Sequence, residues 1–173
     1  MNTRTIEVVE HQSQWQQQFA QERDSLKRIL GNNAVNIHHI GSTSVPGLAA
    51  KPIIDILIEV TSLKQLDAAN IKLQDIGYIA KGENGIVGRR YFQKGQHIRT
   101  HHVHAFESRD PHLVRHLAFK RYLEAHLDVK NEYSDVKKRA AKMCDNEPQL
   151  YMNLKNDFIT EHEKRAVSWF SQK

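Results

Sequence analysis

The residues best placed to do chemistry lie in HHIGSTSVPGLAAKPIIDILIEV, residues 38–60. A strand ends there and the chain turns through Gly41, Ser42, Thr43 and Ser44. Glycine lets backbone N–H groups approach an anion with no Cβ in the way. Successive N–H groups and hydroxyls form a concavity that suits phosphate, so all four are candidate phosphate contacts. Gly-Ser turns are common, and an ordinary turn is the other reading. Asp55 follows 13 residues after Ser42, on a strand otherwise made of Ile53, Ile54, Ile56, Leu57 and Ile58. A carboxylate in such a strand is costly unless it meets water, a metal or a hydrogen-bond donor. Asp55 is therefore the candidate catalytic and metal-binding carboxylate, against the alternative of a satisfied aspartate at a strand bend.

Histidine is the second signal. The chain has 11, and His97, His101, His102 and His104 fall within eight residues. On a strand over 98–106, alternation puts His102 and His104 on one face and Arg99 and His101 on the other. Two histidines at i and i+2 can chelate Zn²⁺ or Mn²⁺. Should that strand lie beside the Asp55 strand, Asp55, His102 and His104 form a His/His/carboxylate site; otherwise they are polar fillers of a cleft. Of His38 and His39, one is expected to pack and the other to meet solvent. Lys51 can reach a phosphate across the loop, and one of Arg89, Arg90 and Arg99 can hold an anion through paired hydrogen bonds. Tyr151 and Lys155 lie one helical turn apart, either as a base-stacking and phosphate-binding pair or as a core tyrosine with a lysine snorkelling outward. Cys144 has no evident histidine partner, Ser42–Ser44 make no nucleophile elbow, and neither a Walker loop nor a dinucleotide fingerprint is present.

Composition sets the bounds. The 173 residues are 26% charged and 39% hydrophobic, with 25 Lys and Arg against 20 Asp and Glu for a net charge of +5. That permits an anionic partner, but the basic residues are scattered and no nucleic-acid partner is indicated. Of the locally basic stretches, KNEYSDVKKRAAK (130–142) reads as a solvated helix face. No apolar run approaches the roughly 18 residues that span a bilayer. One cysteine forms no internal disulfide. The expected location is cytoplasmic, without membrane contact.

The elements that must position these groups are legible. Ser13 and Gln16 suggest a capping box, followed by a helix carrying Trp15, Phe19, Leu26 and Leu30 and stopped at Gly31. Strands are expected at 35–40 and 53–60. Ser62 caps a helix with a stripe of Leu63, Leu66, Leu73 and Ile76. Residues 78–80, 89–93 and 98–106 read as a meander. Asp110-Pro111 opens a helix bearing Leu113, Leu117 and Leu123. Two more run from about 128 to 144 and from about 148, the last carrying Tyr151, Leu154, Phe158, Ala166 and Trp169 inward. The expected class is α+β: a mixed sheet of about five strands with helices on one face (1–106), then a helical part (107–173) packed on it within a single domain spanning 1–173.

The Gly-Ser turn followed by a strand carboxylate resembles the signature of the nucleotidyltransferase superfamily. More closely, HHIGSTSVPGLAAKPIIDI, THHVHAF (100–106), LAFKRYLEAH (117–126) and YMNLKNDFI (151–159) resemble, in order, the motifs of the bacterial GrpB family. The resemblance implies a nucleotidyltransferase-like fold, a nucleoside triphosphate held at the Gly-Ser turn, and Mg²⁺ on strand carboxylates, neutralising charge as a phosphoryl bond breaks. It also implies a link to dephospho-CoA kinase, to which members are fused, and with it a protein-folding accessory role. The chain departs from the superfamily in one respect: the second carboxylate, two residues after the first, is Leu57. Glu59 shares the face but lies roughly 13 Å along the strand from Asp55. Three functions follow for test: nucleotidyl transfer to a small acceptor, a non-catalytic nucleotide or anion module, and an accessory domain. The expected partner is a nucleotide or phosphorylated small molecule, and a homodimer stays open.

Overall fold

The first helix, α1 (Gln14–Leu30), forms on the expected stripe and ends at Gly31, whose φ of 55° glycine accepts readily. The computed structural model describes residues 5–173. Ser13 does not cap α1: it already has helical dihedrals (φ −62°, ψ −27°), and the chain begins to coil at Gln12, whose carbonyl accepts from Trp15 N. A capping side chain works from an extended residue, so the expected capping box does not form.

Five strands make one mixed sheet in the order β1-β2-β5-β4-β3. They are β1 (Ala34–Ile40), β2 (Ile54–Val60), β3 (Tyr78–Ala80), β4 (Arg90–Lys94) and β5 (His101–Glu107). The meander β3-β4-β5 is antiparallel as expected, and β5 inserts next to β2 as the one parallel pair. The histidine strand starts three residues later than its pattern suggested. Ile98, which would have begun it, is 79% exposed beyond the turn at Gly95. The helix after Ser62 is capped there, with Ser62 Oγ accepting from Gln65 N, but it breaks at Ala69 into α2 (Leu63–Ala68) and α3 (Asn70–Asp75). Leu66 and Leu73 stay buried on either side of the break.

Helices cover both faces of the sheet, not one. Ile54, Ile56, Ile58, Val60, Val103 and Ala105 pack with Trp15, Leu26, Leu30, Leu66 and Leu73. On the opposite face Leu57, Ile40 and Phe106 meet Leu113 of α4 (Pro111–Ala125). The reason lies in β2. One face of β2 is wholly apolar (Ile54, Ile56, Ile58, Val60), and on the other Leu57, between Asp55 and Glu59, is fully buried and needs an apolar partner, which α4 supplies. Asp110 caps α4, its carboxylate accepting from His112 N.

α5 (Leu127–Met143) and α6 (Pro148–Ser171) complete the chain. A further apolar cluster joins Ala118, Tyr122, Leu123, Tyr133, Phe158 and Ala166 of α4–α6 to Val45 and Leu48 of the β1–β2 loop. Ser134 Oγ accepts from Ala49 N, and Lys130 donates to the Pro46 carbonyl. The loop that carries the Gly-Ser turn is thus built into the helical core. Leu154 does not point inward as expected; it is 38% exposed, because the buried ridge of α6 runs through Tyr151, Phe158, His162 and Ala166. Among the described residues no helix is long and apolar enough to cross a membrane.

Candidate functional site

The register of the inner strands assembles the first half of the site. Asp55 pairs with His102, Leu57 with His104, and His104 with Tyr91. Paired residues on neighbouring strands point to the same face, so Asp55, His102, His104 and Tyr91 share one surface. His102 Nδ1 lies 3.4 Å and His104 Nε2 3.8 Å from Asp55 Oδ1. The Tyr91 ring stands 5.7 Å and 5.2 Å from the two imidazoles. Burial acts to raise the Asp55 pKa, but the hydrogen bonds and charge of His102 and His104 outweigh it and hold the carboxyl well below the usual range. Asp55 is therefore an anion, and its side chain is 29% exposed. Behind His104, the guanidinium of Arg89 comes within 3.5 Å of Nδ1, fixed by the carbonyls of Glu83 and Asn84. Arg90 instead pairs with Asp67, and Arg99 donates to the Gly95 carbonyl in the β4–β5 turn, from where its charge acts on Tyr91.

The Gly-Ser turn presses directly on this carboxylate. Residues Ser42–Ser44 form a 3₁₀ turn entered through Gly41 at φ 71°. A Cβ at Gly41 would sit 2.6 Å from Asp55 Oδ2. Glycine is thus required both by its dihedral and by the closeness of the two chains. The expected phosphate contacts of Thr43 and Ser44 are not available as drawn. Thr43 Oγ1 faces His39 Nε2 at 2.9 Å and donates to the Ile53 carbonyl, and Ser44 Oγ donates to the Gly41 carbonyl. These hydroxyls fold the turn. Ser42 remains partly exposed, close to Tyr133 of α5. Of the histidine pair, His39 is the buried one, stacked on Phe19; burial first, then Lys120, pushes its pKa down to about 4 and leaves it neutral.

The second half of the site comes from α5, α6 and the loop. Lys51 and Lys155 each place Nζ 4.7 Å from the centre of the Tyr151 ring. Lys137 places Nζ 4.5 Å from the Tyr133 ring, is 2% exposed, and has no hydrogen-bond partner among the described residues. Burial, reinforced by Lys155 and Lys51, pushes Lys137 down to about 6 despite the opposing charge of Asp55. Burial and then Lys51 push Lys155 down to about 8, again against Asp55. Burial also lowers Lys51. The three amines so act on one another and on Asp55, and Tyr133 and Tyr151 supply the cation–π contacts that tolerate them.

The model of the family described as GrpB protein matches residues 5–165. The chain belongs to the GrpB family. It is 43% identical over 166 residues to the UPF0157 protein YqkA of Bacillus subtilis (strain 168), covering 96% of this chain and 48% of that protein, so it spans about half the length of that relative. Its fold matches the crystal structure of the conserved protein GrpB from Enterococcus faecalis with a TM-score of 0.92 and 41% identity, over 95% of this chain and 99% of that one. A dephospho-CoA kinase of Mycolicibacterium paratuberculosis is 28% identical over 189 residues, covering 95% of this chain and 46% of the kinase.

In this GrpB chain Leu57 is not a vacated ligand position. It is fully buried between Ile40, Phe106 and Leu113, while Glu59 lies at the far end of the strand beside Asn36. One carboxylate faces the site. His102 and His104 both turn toward a single oxygen of Asp55, and among the described residues no group of three His, Cys, Asp or Glu side chains is set to hold a metal ion. A lone carboxylate could still hold Mg²⁺, which binds through one or two carboxylates with phosphate oxygens and water completing its shell. Lys137 and Tyr133 are not among the expected site residues, because KNEYSDVKKRAAK reads as a solvated helix face. A signal existed: Tyr133 with Lys137 and Tyr151 with Lys155 repeat the same Tyr-x-x-x-Lys spacing on two helices, which puts each pair on one face.

Proposed function

We propose that this GrpB protein binds the phosphate chain of a nucleotide or related phosphorylated small molecule between the Ser42 turn and Lys51, Lys137 and Lys155, together with a divalent cation at Asp55. The observation that carries the reading is the fully buried, partnerless amine of Lys137 beside two further lysines and an ionised aspartate. A buried amine without a partner is costly, and an incoming phosphate supplies the missing acceptor in its strongest, charge-assisted form. Asp55 would hold Mg²⁺ or Mn²⁺, with His102 and His104 orienting the carboxylate. The cation's contribution is to neutralise charge on the phosphates. Tyr151 is the core tyrosine of the two readings its spacing allowed: it is 1% exposed, packed with Ala140 and Cys144, and seats Lys51 and Lys155 rather than a base.

Whether nucleotidyl transfer follows binding depends on the second carboxylate, and the packing of Leu57 favours a binding module over a transferase. The dephospho-CoA kinase relative suits a module that works beside an enzyme of phosphorylated metabolites. A cytoplasmic location agrees with the buried free thiol of Cys144.

Calorimetric titration of nucleoside triphosphates, with and without Mg²⁺, tests the reading. Measurable binding is expected, strengthened by the metal. Ser42→Ala should weaken it about tenfold or more, since a hydroxyl donor to a charged acceptor contributes about 1.5–3 kcal/mol. No detectable binding of any triphosphate under either condition would overturn it.

A further inference from the structure

Lys137 differs from the other two lysines in a way that bears on what the pocket accepts. Lys51 and Lys155 are partly exposed and lie on one ring, Tyr151. Lys137, on α5, is buried over Tyr133. The groups acting on it are Lys155 from α6, Lys51 from the loop and Asp55 from β2, with Tyr133 on its own helix. Among the described residues no carboxylate pairs with it, and its amine lacks even a carbonyl acceptor. An ammonium ion in that position has nothing to neutralise it until an anion enters.

We propose that Lys137 selects for multiply charged phosphate chains by taking up a proton as the ligand enters, so that binding to the pocket and protonation of this one amine are a single event. The inference rests on the phosphate-pocket reading and deepens it, since a singly charged ligand end satisfies Lys51 and Lys155 and leaves nothing to stabilise a third ammonium. Burial, then the neighbouring lysines, holds Lys137 at about 6 and Lys155 at about 8. At pH 7.5 the free protein therefore carries Lys137 mostly neutral and Lys155 mostly charged. An anion that raises both draws close to one proton onto Lys137 and a fraction onto Lys155. Proton uptake makes affinity fall as pH rises. The association constant should drop up to tenfold per pH unit between about 7 and 8 and more steeply above 8, where Lys155 joins. Below about 6 the Lys137 contribution levels off.

The test is calorimetry of inorganic triphosphate at pH 7.5 in two buffers of different ionisation enthalpy, which counts the protons exchanged. The ligand's own proton exchange is common to every variant, so differences between variants isolate Lys137. Wild type is expected to take up about one proton more than Lys137→Met, and the variant should bind at least tenfold more weakly. Lys137→Gln, equally unable to titrate but polar, gives the same readout if the methionine variant does not fold. Equal affinity and equal proton counts in wild type and either folded variant would overturn the inference and leave the pocket standing. If wild type binds no triphosphate, the pocket reading itself fails and the inference with it.

Discussion

Leu57→Asp, the substitution that would restore a second carboxylate to β2, is expected to cost at least about 3 kcal/mol and to create no metal site. Removing a buried leucine alone costs about 2–5 kcal/mol, and a carboxylate placed among Ile40, Phe106 and Leu113 adds the penalty of an unpaired buried charge. In a domain of this size each kcal/mol lowers the melting temperature by about 2–4 °C, so a fall of roughly 10 °C is expected in thermal unfolding. A variant that melts like wild type and gains divalent-ion affinity would show that Leu57 merely fills a ligand position. The expected result ties the missing carboxylate to α4, whose Leu113 packs where a second metal ligand would have needed water.

Gly41→Ala should remove ligand binding and destabilise the chain together. An alanine at φ 71° costs about 1–2 kcal/mol from backbone sterics alone. Its Cβ would also stand 2.6 Å from Asp55 Oδ2 and 3.0 Å from Asp55 Cβ, and neither belongs to the loose end of a flexible chain. Relief requires the turn and the carboxylate to separate, which breaks the arrangement that sets Ser42 and Asp55 around one space. A melting temperature lower by about 4–8 °C with triphosphate binding reduced below detection is expected. Preserved binding in the alanine variant would mean that the close approach of turn and carboxylate serves packing only.

Much of this arrangement was legible in the sequence because it depends on local rules. The alternation of His101 to His104 placed His102 and His104 together on one face, and the pairing of β2 with β5 brought that face to Asp55. The run of β-branched residues at 53–60 marked β2 as a strand, although not that it lies inside the sheet with α4 over its second face. Where the reading failed, the deciding contact was distant in sequence. Thr43 and Ser44 look like phosphate ligands until the Ile53 carbonyl, His39 and the Gly41 carbonyl are seen to occupy them. Leu154 fits an inward stripe by type, yet α6 buries the ridge one residue over, so Lys155 rather than Leu154 follows Tyr151. Lys137 is the sharpest case. A lysine in KNEYSDVKKRAAK is solvated by default, and only the packing of α5 against the β1–β2 loop and α6 encloses it.

The most direct measurement is a crystal structure of the protein grown with a non-hydrolysable nucleoside triphosphate and Mn²⁺, using anomalous scattering to locate the ion. The account predicts phosphate density between Ser42 and the amines of Lys51, Lys137 and Lys155, with the anomalous peak against Asp55. A triphosphate bound elsewhere, or crystals in which these lysines and Asp55 contact neither phosphate nor metal at saturating ligand, would contradict it.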